Sequence, residues 1–273
     1  MNKAVSTHHV VNPLSSESAA ASFVQSYWQR RPAVIRQALS EQQRREAPSA
    51  RELLRLVQSD TAETRLITRN GSRWQLDHGP LPATQVPTLQ TAHWTVLVQG
   101  VDLILDSARR ILDQFRFLPD ARLDDLMISV AGDGGGVGPH VDDYDVFLIQ
   151  LAGDRQWQLA PPGDWVVRKN QPLKLIRNFK ATETETLHAG DMLYLPAGWA
   201  HNGIANGPCT TASIGFRAPR RSELQAAWLD HAAQALESMP TKPNPMYRDP
   251  VQTTRQDSTR DDAGADCLAK TMA

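Results

Sequence analysis

Gly132-Asp133-Gly134-Gly135-Gly136-Val137-Gly138-Pro139-His140-Val141-Asp142-Asp143-Tyr144-Asp145-Val146-Phe147-Leu148-Ile149-Gln150 is the stretch on which the fold turns. A glycine-rich loop runs into His-x-Asp, and an apolar run follows. Positions i and i+2 of a strand share a face, so His140 and Asp142 can reach one ion. A second stretch, Gly190-Asp191-Met192-Leu193-Tyr194-Leu195-Pro196, reads as a turn, a buried strand and a stop, and it ends close to His201. Two imidazoles and one carboxylate are the facial-triad ligand set of non-haem Fe(II) oxygenases, which leaves three positions on the ion open. A structural zinc site closes all four of its positions with protein ligands. His140, Asp142 and His201 are therefore the expected metal ligands and catalytic centre, delivered to the mouth of a small β-barrel. The glycines do not form a phosphate loop, because no Gly-Lys-Ser/Thr follows them.

The 273 residues are enough for one large domain or a core with appendages. At 41% hydrophobic and 22% charged residues, an ordinary buried core is expected. A formal net charge of −1 gives no bulk electrostatic argument for nucleic-acid binding. Arg-rich patches at 30–31, 44–45 and 220–221 read as solvated faces rather than nucleic-acid grooves. Cys209 and Cys267 make neither a disulfide framework nor a cysteine metal site, which fits a reducing cytoplasm. No signal peptide and no membrane span is expected.

Along the chain, residues 1 to about 15 read as a loose start. A helix is expected from Ser16 to Gln29, ended by Pro32, with Phe23 and Tyr27 on its buried side. A short strand over 32–36 follows, then a helix capped by Ser49 with Leu53, Leu54 and Val57 inward. Alternation on either side of Asn70-Gly71 predicts a hairpin. Trp94–Val98 reads as a buried strand and Asp106–Phe115 as a helix. From Leu126 short apolar runs predict strands at 127–130, 146–151, 156–159, 173–176, 192–195 and 211–216, the pattern of a sandwich or barrel. A helical stripe of Leu224, Trp228 and Ala232 runs from Ser222 to Met239-Pro240, and the polar tail after Pro250 reads as disordered.

These residues resemble a known family. Asp124-Asp125-Leu126-Met127-Ile128-Ser129 and the motif from Gly134 to Gln150 look like the JmjC-type bacterial ribosomal oxygenases, 2-oxoglutarate-dependent protein hydroxylases. The likeness extends from Tyr27-Trp28-Gln29-Arg30-Arg31-Pro32 through Trp74–Pro80 and Gly215–Pro219 to about Tyr247–Pro250. It implies a mixed, mainly β fold: a double-stranded β-helix (cupin/JmjC jelly-roll barrel) with flanking N-terminal and C-terminal helices. The implied division is 1–97 (N-terminal helical/β region), 98–220 (catalytic barrel), 221–250 (partial helical, dimerisation-like segment) and 251–273 (tail). Members of the family continue into further helices and a winged-helix domain, so the chain is shortened at its C-terminus relative to them.

The resemblance also implies Fe(II), 2-oxoglutarate and O2 as cofactor and co-substrates. Arg155 and Ser129 would hold 2-oxoglutarate, and Asp133 the substrate guanidinium. The duller readings are an exposed strand-end arginine, an ordinary strand serine and a turn aspartate. Asp145 falls on the opposite face from Asp142, and His188 reads as exposed. The expected activity is hydroxylation of an arginine side chain in a ribosomal protein, with indirect contact of one Arg-rich patch to ribosomal RNA (rRNA) if the substrate is presented on a ribosomal particle, and with a homodimer as a possible assembly. Hydroxylation of another residue such as histidine, and a metal-binding cupin module without turnover, are the alternatives.

Overall fold

The computed structural model describes residues 8–217 and 219–237. Its strands are β1 (His8–His9), β2 (Ala33–Ile35), β3 (Thr64–Asn70), β4 (Arg73–His78), β5 (Trp94–Val98), β6 (Leu123–Ala131), β7 (His140–Val141), β8 (Asp145–Ala160), β9 (Glu183–Leu187), β10 (Met192–Leu195) and β11 (Ala200–Phe216). Its helices are α1 (Glu17–Ser26), α2 (Glu41–Arg45), α3 (Ala50–Leu56), α4 (Asp106–Asp113) and α5 (Arg221–Glu237). The chain divides into two units, 1–219 and 220–273. Among the described residues, no helix is long and apolar enough to cross a membrane.

The sheet runs β1-β2-β10-β8-β11-β6-β5-β3-β4, with β7 against β11 and β9 against β8. Among the described residues, only β1 and β2 pair in parallel. The frame is the long antiparallel pair β8 and β11, in register from Ala160↔Ala200 to Asp145↔Phe216. Register shifts lie between Asn206 and Thr211, where the pair bends. Gly153 sits at the bend with φ +64, and a Cβ there would meet the Pro208 carbonyl at 2.3 Å, so only glycine fits. Beyond the bend each strand changes neighbour. The first half of β8 pairs with β10 and its second half with β9; β11 pairs first with β7 and then with β6. This arrangement is the expected double-stranded β-helix.

Both faces of the central strands are covered, which is why 146–151 reads as unbroken apolar sequence. Phe147, Ile149 and Leu151 join the larger core with Phe23, Leu53, Leu112 and Phe115 from the helical side. Val146 and Leu148 face the barrel interior with Trp157, Leu159, Leu193 and Leu195.

Several expectations shift. The runs at 146–151 and 156–159 are one strand, and 211–216 is the far half of a strand that starts before His201. The run at 173–176 forms no strand; Leu175 and Ile176 are buried, and a single bridge joins Ile176 to Val167. Helix α1 starts near the expected position, with Ser16 as its N-cap, but stops at Ser26, well before Pro32. Arg30 and Arg31 donate to the carbonyls of Val24, Gln25 and Ser26, and Gln29 takes φ 58, so the turn is closed before the proline is reached. The Ser49 cap closes a full capping box with Glu52. The hairpin turn between β3 and β4 consists of Gly71 and Ser72. Within the presumed loose start, His8–His9 pairs with β2. The expected end of the last helix at Met239-Pro240, and the tail, lie outside the described residues.

Candidate metal centre and co-substrate pocket

β7 and β11 place the two histidines opposite each other, His140↔His201. Asp142 follows β7 directly, and its carbonyl accepts from Gly198 N at 2.9 Å, tying the two ligand-bearing segments together. The Asp142 Oδ2 lies 3.8 Å from His140 Nε2 and 3.6 Å from His201 Nε2. One ligand atom from each residue falls within a 4.8 Å cluster.

Each imidazole is oriented by its own backbone. His140 Nδ1 lies 2.9 Å from the Gly138 carbonyl, and His201 Nδ1 lies 3.0 Å from the Trp199 carbonyl. A carbonyl only accepts, so Nδ1 carries the proton on both rings and each Nε2 turns a lone pair toward Asp142. His201 is 3% exposed. Burial, followed by the neighbouring His140, pushes its pKa down to about 4, so the ring is neutral near pH 7. Two imidazoles presenting Nε2 and a carboxylate suit a divalent ion of the iron type.

Arg155, Trp157 and Leu159 alternate along β8 into the barrel interior, opposite Ala205, Gly203 and His201. The ring of Trp157 stands 5.9 Å from that of His201, and the Arg155 guanidinium 5.8 Å from the centre of the Trp157 ring. Gly203 makes this stack possible, since a Cβ there would come within 2.6 Å of the Trp157 ring. Arg155 is 4% exposed, which overturns the reading of an exposed strand-end arginine. Its Nε has no hydrogen-bond partner, and its Nη2 reaches only the Cys209 sulfur at 3.5 Å. Among the described residues, no carboxylate pairs with it. A buried cation without an anion is costly, and a carboxylate ligand satisfies it.

Ser129 on β6 is also buried, and its hydroxyl makes one long bond, 3.3 Å, to the Thr211 carbonyl. Cys209, the neighbour of Arg155, is in register with Ala131, two residues along the same face from Ser129. Ser129 and Arg155 thus approach the same end of the interior. Asp133 does not join them. It is exposed, and its carboxylate accepts from Gly207 N at 2.8 Å.

His140 and Asp142 line a cleft of about 530 Å³ whose walls also include Met127, Tyr144, Asp125 and Ile67. Asp125 is pushed above the usual carboxylate range by burial, although Gly100 N and Gln99 donate to it. Burial and the adjacent Asp142 raise the Tyr144 hydroxyl. Sequence reasoning missed Asp125, Met127 and Tyr144 as cleft residues. Alternation against the core residues Leu126, Ile128 and Val130 was the available signal for the first two. Asp145 is fully buried and bonds Tyr194 and Gln29, away from the cleft. His188 is exposed, as expected, and pairs with Asp154.

A bent antiparallel barrel with a His-Asp-His cluster at its mouth defines the class of JmjC/cupin metal-dependent oxygenases. The JmjC domain family model matches residues 110–224. The chain is 36% identical over 213 residues to the ribosomal protein uL16 3-hydroxylase of Escherichia coli, covering 78% of this chain and 56% of the relative. A crystal structure of the Escherichia coli protein YcfD superposes with a TM-score of 0.71 at 31% identity, covering 92% of this chain and 67% of that one. The ribosomal oxygenase YcfD in complex with cobalt and 2-oxoglutarate gives 0.68 at 32% identity, covering 93% and 65%. The chain spans about half the length of the curated relatives it matches. It belongs to the JmjC-type ribosomal oxygenase family.

Proposed function

We propose that this chain is an Fe(II)- and 2-oxoglutarate-dependent oxygenase that hydroxylates an arginine side chain of a ribosomal protein. The observation that carries the reading is the paired locking of His140 and His201 through Nδ1, which leaves both Nε2 atoms facing Asp142. These three residues would hold the metal. Arg155 would hold the far carboxylate of 2-oxoglutarate through a two-bond fork, with Ser129 adding a neutral hydrogen bond. With both groups bound, the site supplies oxidation of an unactivated C–H bond by O2.

The cleft supports a long cationic target. Ile67, Leu97 and Met127 offer apolar walls for an aliphatic stem, and Asp124, Asp125 and Asp143 bring carboxylates to the same space. Asp133, on the far side of the glycine loop, fits a loop-fixing role through Gly207 better than guanidinium binding. A ribosomal substrate places the work in the cytoplasm, and the free thiol of Cys209 is in keeping with that compartment. Leu224, Trp228, Leu229 and Leu236 are exposed on α5, which supports a homodimer, checked by light-scattering mass.

The test is succinate formation with Fe(II), 2-oxoglutarate and a panel of ribosomal-protein peptides, with the added oxygen mapped by mass spectrometry. An added oxygen on arginine is expected, and none with His140→Ala. A shift mapped to histidine would replace the substrate assignment. No 2-oxoglutarate turnover above free iron would leave a binding module.

A further inference from the structure

Between β8 and β9 the chain leaves the barrel for residues 161–182 and returns. This arm carries Arg168, Lys169, Lys174, Arg177 and Lys180 against a single carboxylate, Asp164, in a chain whose net charge is −1. Lys169, Lys174 and Lys180 are the only lysines between residues 4 and 241; elsewhere in that span every fixed cation is arginine. All five cations are exposed. Among the described residues, none of them forms an ion pair.

The arm is a built ledge. Arg168 N donates to Leu175 O at 2.7 Å and Arg177 N to Val166 O at 2.8 Å, so its two sides run antiparallel. Asn178 closes the base, accepting from Val166 N and donating to Asp164 O, both at 2.9 Å. Ile176 N donates to Pro139 O at 2.8 Å, which moors the arm to the residue before His140. Leu173, Lys174 and Leu175 form part of the cleft wall. The arginines at 30–31 and at position 45 are occupied differently: the first two cap α1, and Arg45 pairs with Glu41.

We propose that the 161–182 arm is a docking surface for the phosphate backbone of RNA lying beside the polypeptide segment that enters the cleft. The proposal rests on the reading that the substrate is a ribosomal protein, because such a segment on a particle has RNA next to it. Charge decides the partner. Five unpaired cations at the rim repel a free basic polypeptide, whereas the cleft carboxylates attract its side chain. A phosphate backbone beside the target turns the rim from repulsive to attractive. Lysine ammonium groups suit this role, since they meet phosphates as point charges without reading sequence.

The test uses the full chain, a fluorescent single-stranded RNA of about 20 nucleotides, and anisotropy across a salt series. Five phosphate contacts predict a log–log salt slope of about −3.5 for a single strand, at roughly 0.7 per contact. Arg168→Gln/Lys169→Gln/Lys180→Gln, which spares the cleft-lining Lys174, should weaken binding roughly tenfold to hundredfold near 0.1 M salt and flatten the slope by about 2. The charge-matched control Arg51→Gln/Arg55→Gln/Arg73→Gln should bind as the parent does. Amine acylation read by peptide mass should show RNA protecting Lys169, Lys174 and Lys180. Equal loss in the control, an unchanged affinity in the arm variant, or no protection would overturn the proposal. Equally tight binding of poly-glutamate or of phosphatidylserine vesicles at matched salt would overturn the RNA assignment. Hydroxylation of free peptide is scored separately and should be at least as fast in the arm variant as in the parent, since the cations removed are ones that repel a free basic peptide. If peptide turnover fails while RNA binding follows the arm, the enzymatic reading falls and the arm stands.

Discussion

Replacing Arg155 by methionine should strengthen the ligand-free protein and disable it at the same step. The guanidinium is 4% exposed, its Nε is unbonded and its nearest polar neighbour is a thiol. Exchanging buried ionic groups for apolar ones of similar volume is often neutral or stabilising, by about 1–4 kcal/mol. At roughly 2–4 °C per kcal/mol for a domain of this size, Arg155→Met should raise Tm by about 2 to 16 °C. The same change removes the cation proposed to meet the far carboxylate of 2-oxoglutarate. Truncating one side of a buried, hydrogen-bonded charge pair costs about 2–5 kcal/mol. That is about 30-fold to 4,000-fold in Kd, at about 1.4 kcal/mol per tenfold. The assays are thermal unfolding with and without 2-oxoglutarate, and calorimetric titration of the co-substrate onto protein loaded with a redox-silent divalent ion. Metal affinity without 2-oxoglutarate should change far less. Arg155→Lys keeps the charge but loses the planar fork, and should fall between parent and methionine in affinity. A methionine variant that melts earlier than the parent and still binds 2-oxoglutarate equally well would refute both halves of the argument.

Gly203→Ala drives a Cβ to 2.6 Å from the Trp157 ring and should cost about 1–3 kcal/mol by overpacking. The displaced ring presses on His201, so weaker metal binding in a calorimetric titration is expected as well; unchanged stability and metal affinity would show that the stack is slack. Asp191 is buried, yet its bonds from Gln37 N, Arg36 and His188 N outweigh burial and hold its carboxyl below the usual range. Asp191→Ala should cost about 2–4 kcal/mol in urea unfolding, since two backbone N–H groups lose an ionised acceptor, with 2-oxoglutarate affinity kept. His201 has a folded pKa lowered to about 4 from 6.5, so the unfolded chain takes up its proton first as pH falls. The metal-free protein therefore holds this contribution above pH 6.5 and loses about 3 kcal/mol between pH 6.5 and 4, at about 1.36 kcal/mol per unit. His201→Gln should show a correspondingly shallower loss in urea midpoint over that window, and identical pH curves would contradict the burial argument.

The clustering of His140, Asp142 and His201 was legible because its rule is local. His140 and Asp142 need only strand alternation, and the turn-strand-stop before His201 needs only glycine and proline. The barrel's frame was harder to read because it depends on partners distant in sequence. Ala152-Gly153-Asp154 and Gly207-Pro208 each look like the end of a strand. Yet β8 and β11 continue through both sites, because each supplies the other's hydrogen bonds on either side of the bend. Leu173–Ile176 misleads for the opposite reason: Ile176 packs against Ala160 and Ala200, and the run makes a single bridge rather than joining a ladder.

The misreading of those glycines bears on the site itself. If β8 stopped at Leu151 and a new strand began at Gln156, Arg155 would sit in a connection, where an exposed arginine is the natural expectation. Continuity through Gly153 instead keeps Arg155 in phase with Trp157 and Leu159, two and four residues along one face. It is that phase, set by cross-strand pairing with Ala205, Gly203 and His201, that points the guanidinium inward. The inward-facing Arg155, and with it the co-substrate pocket proposed there, therefore follows from the same bend that hides it in the sequence. A one-residue slip of β8 against β11 beyond Gly153 would turn Arg155 to solvent and bring Asp154 or Gln156 inward, without altering any metal ligand.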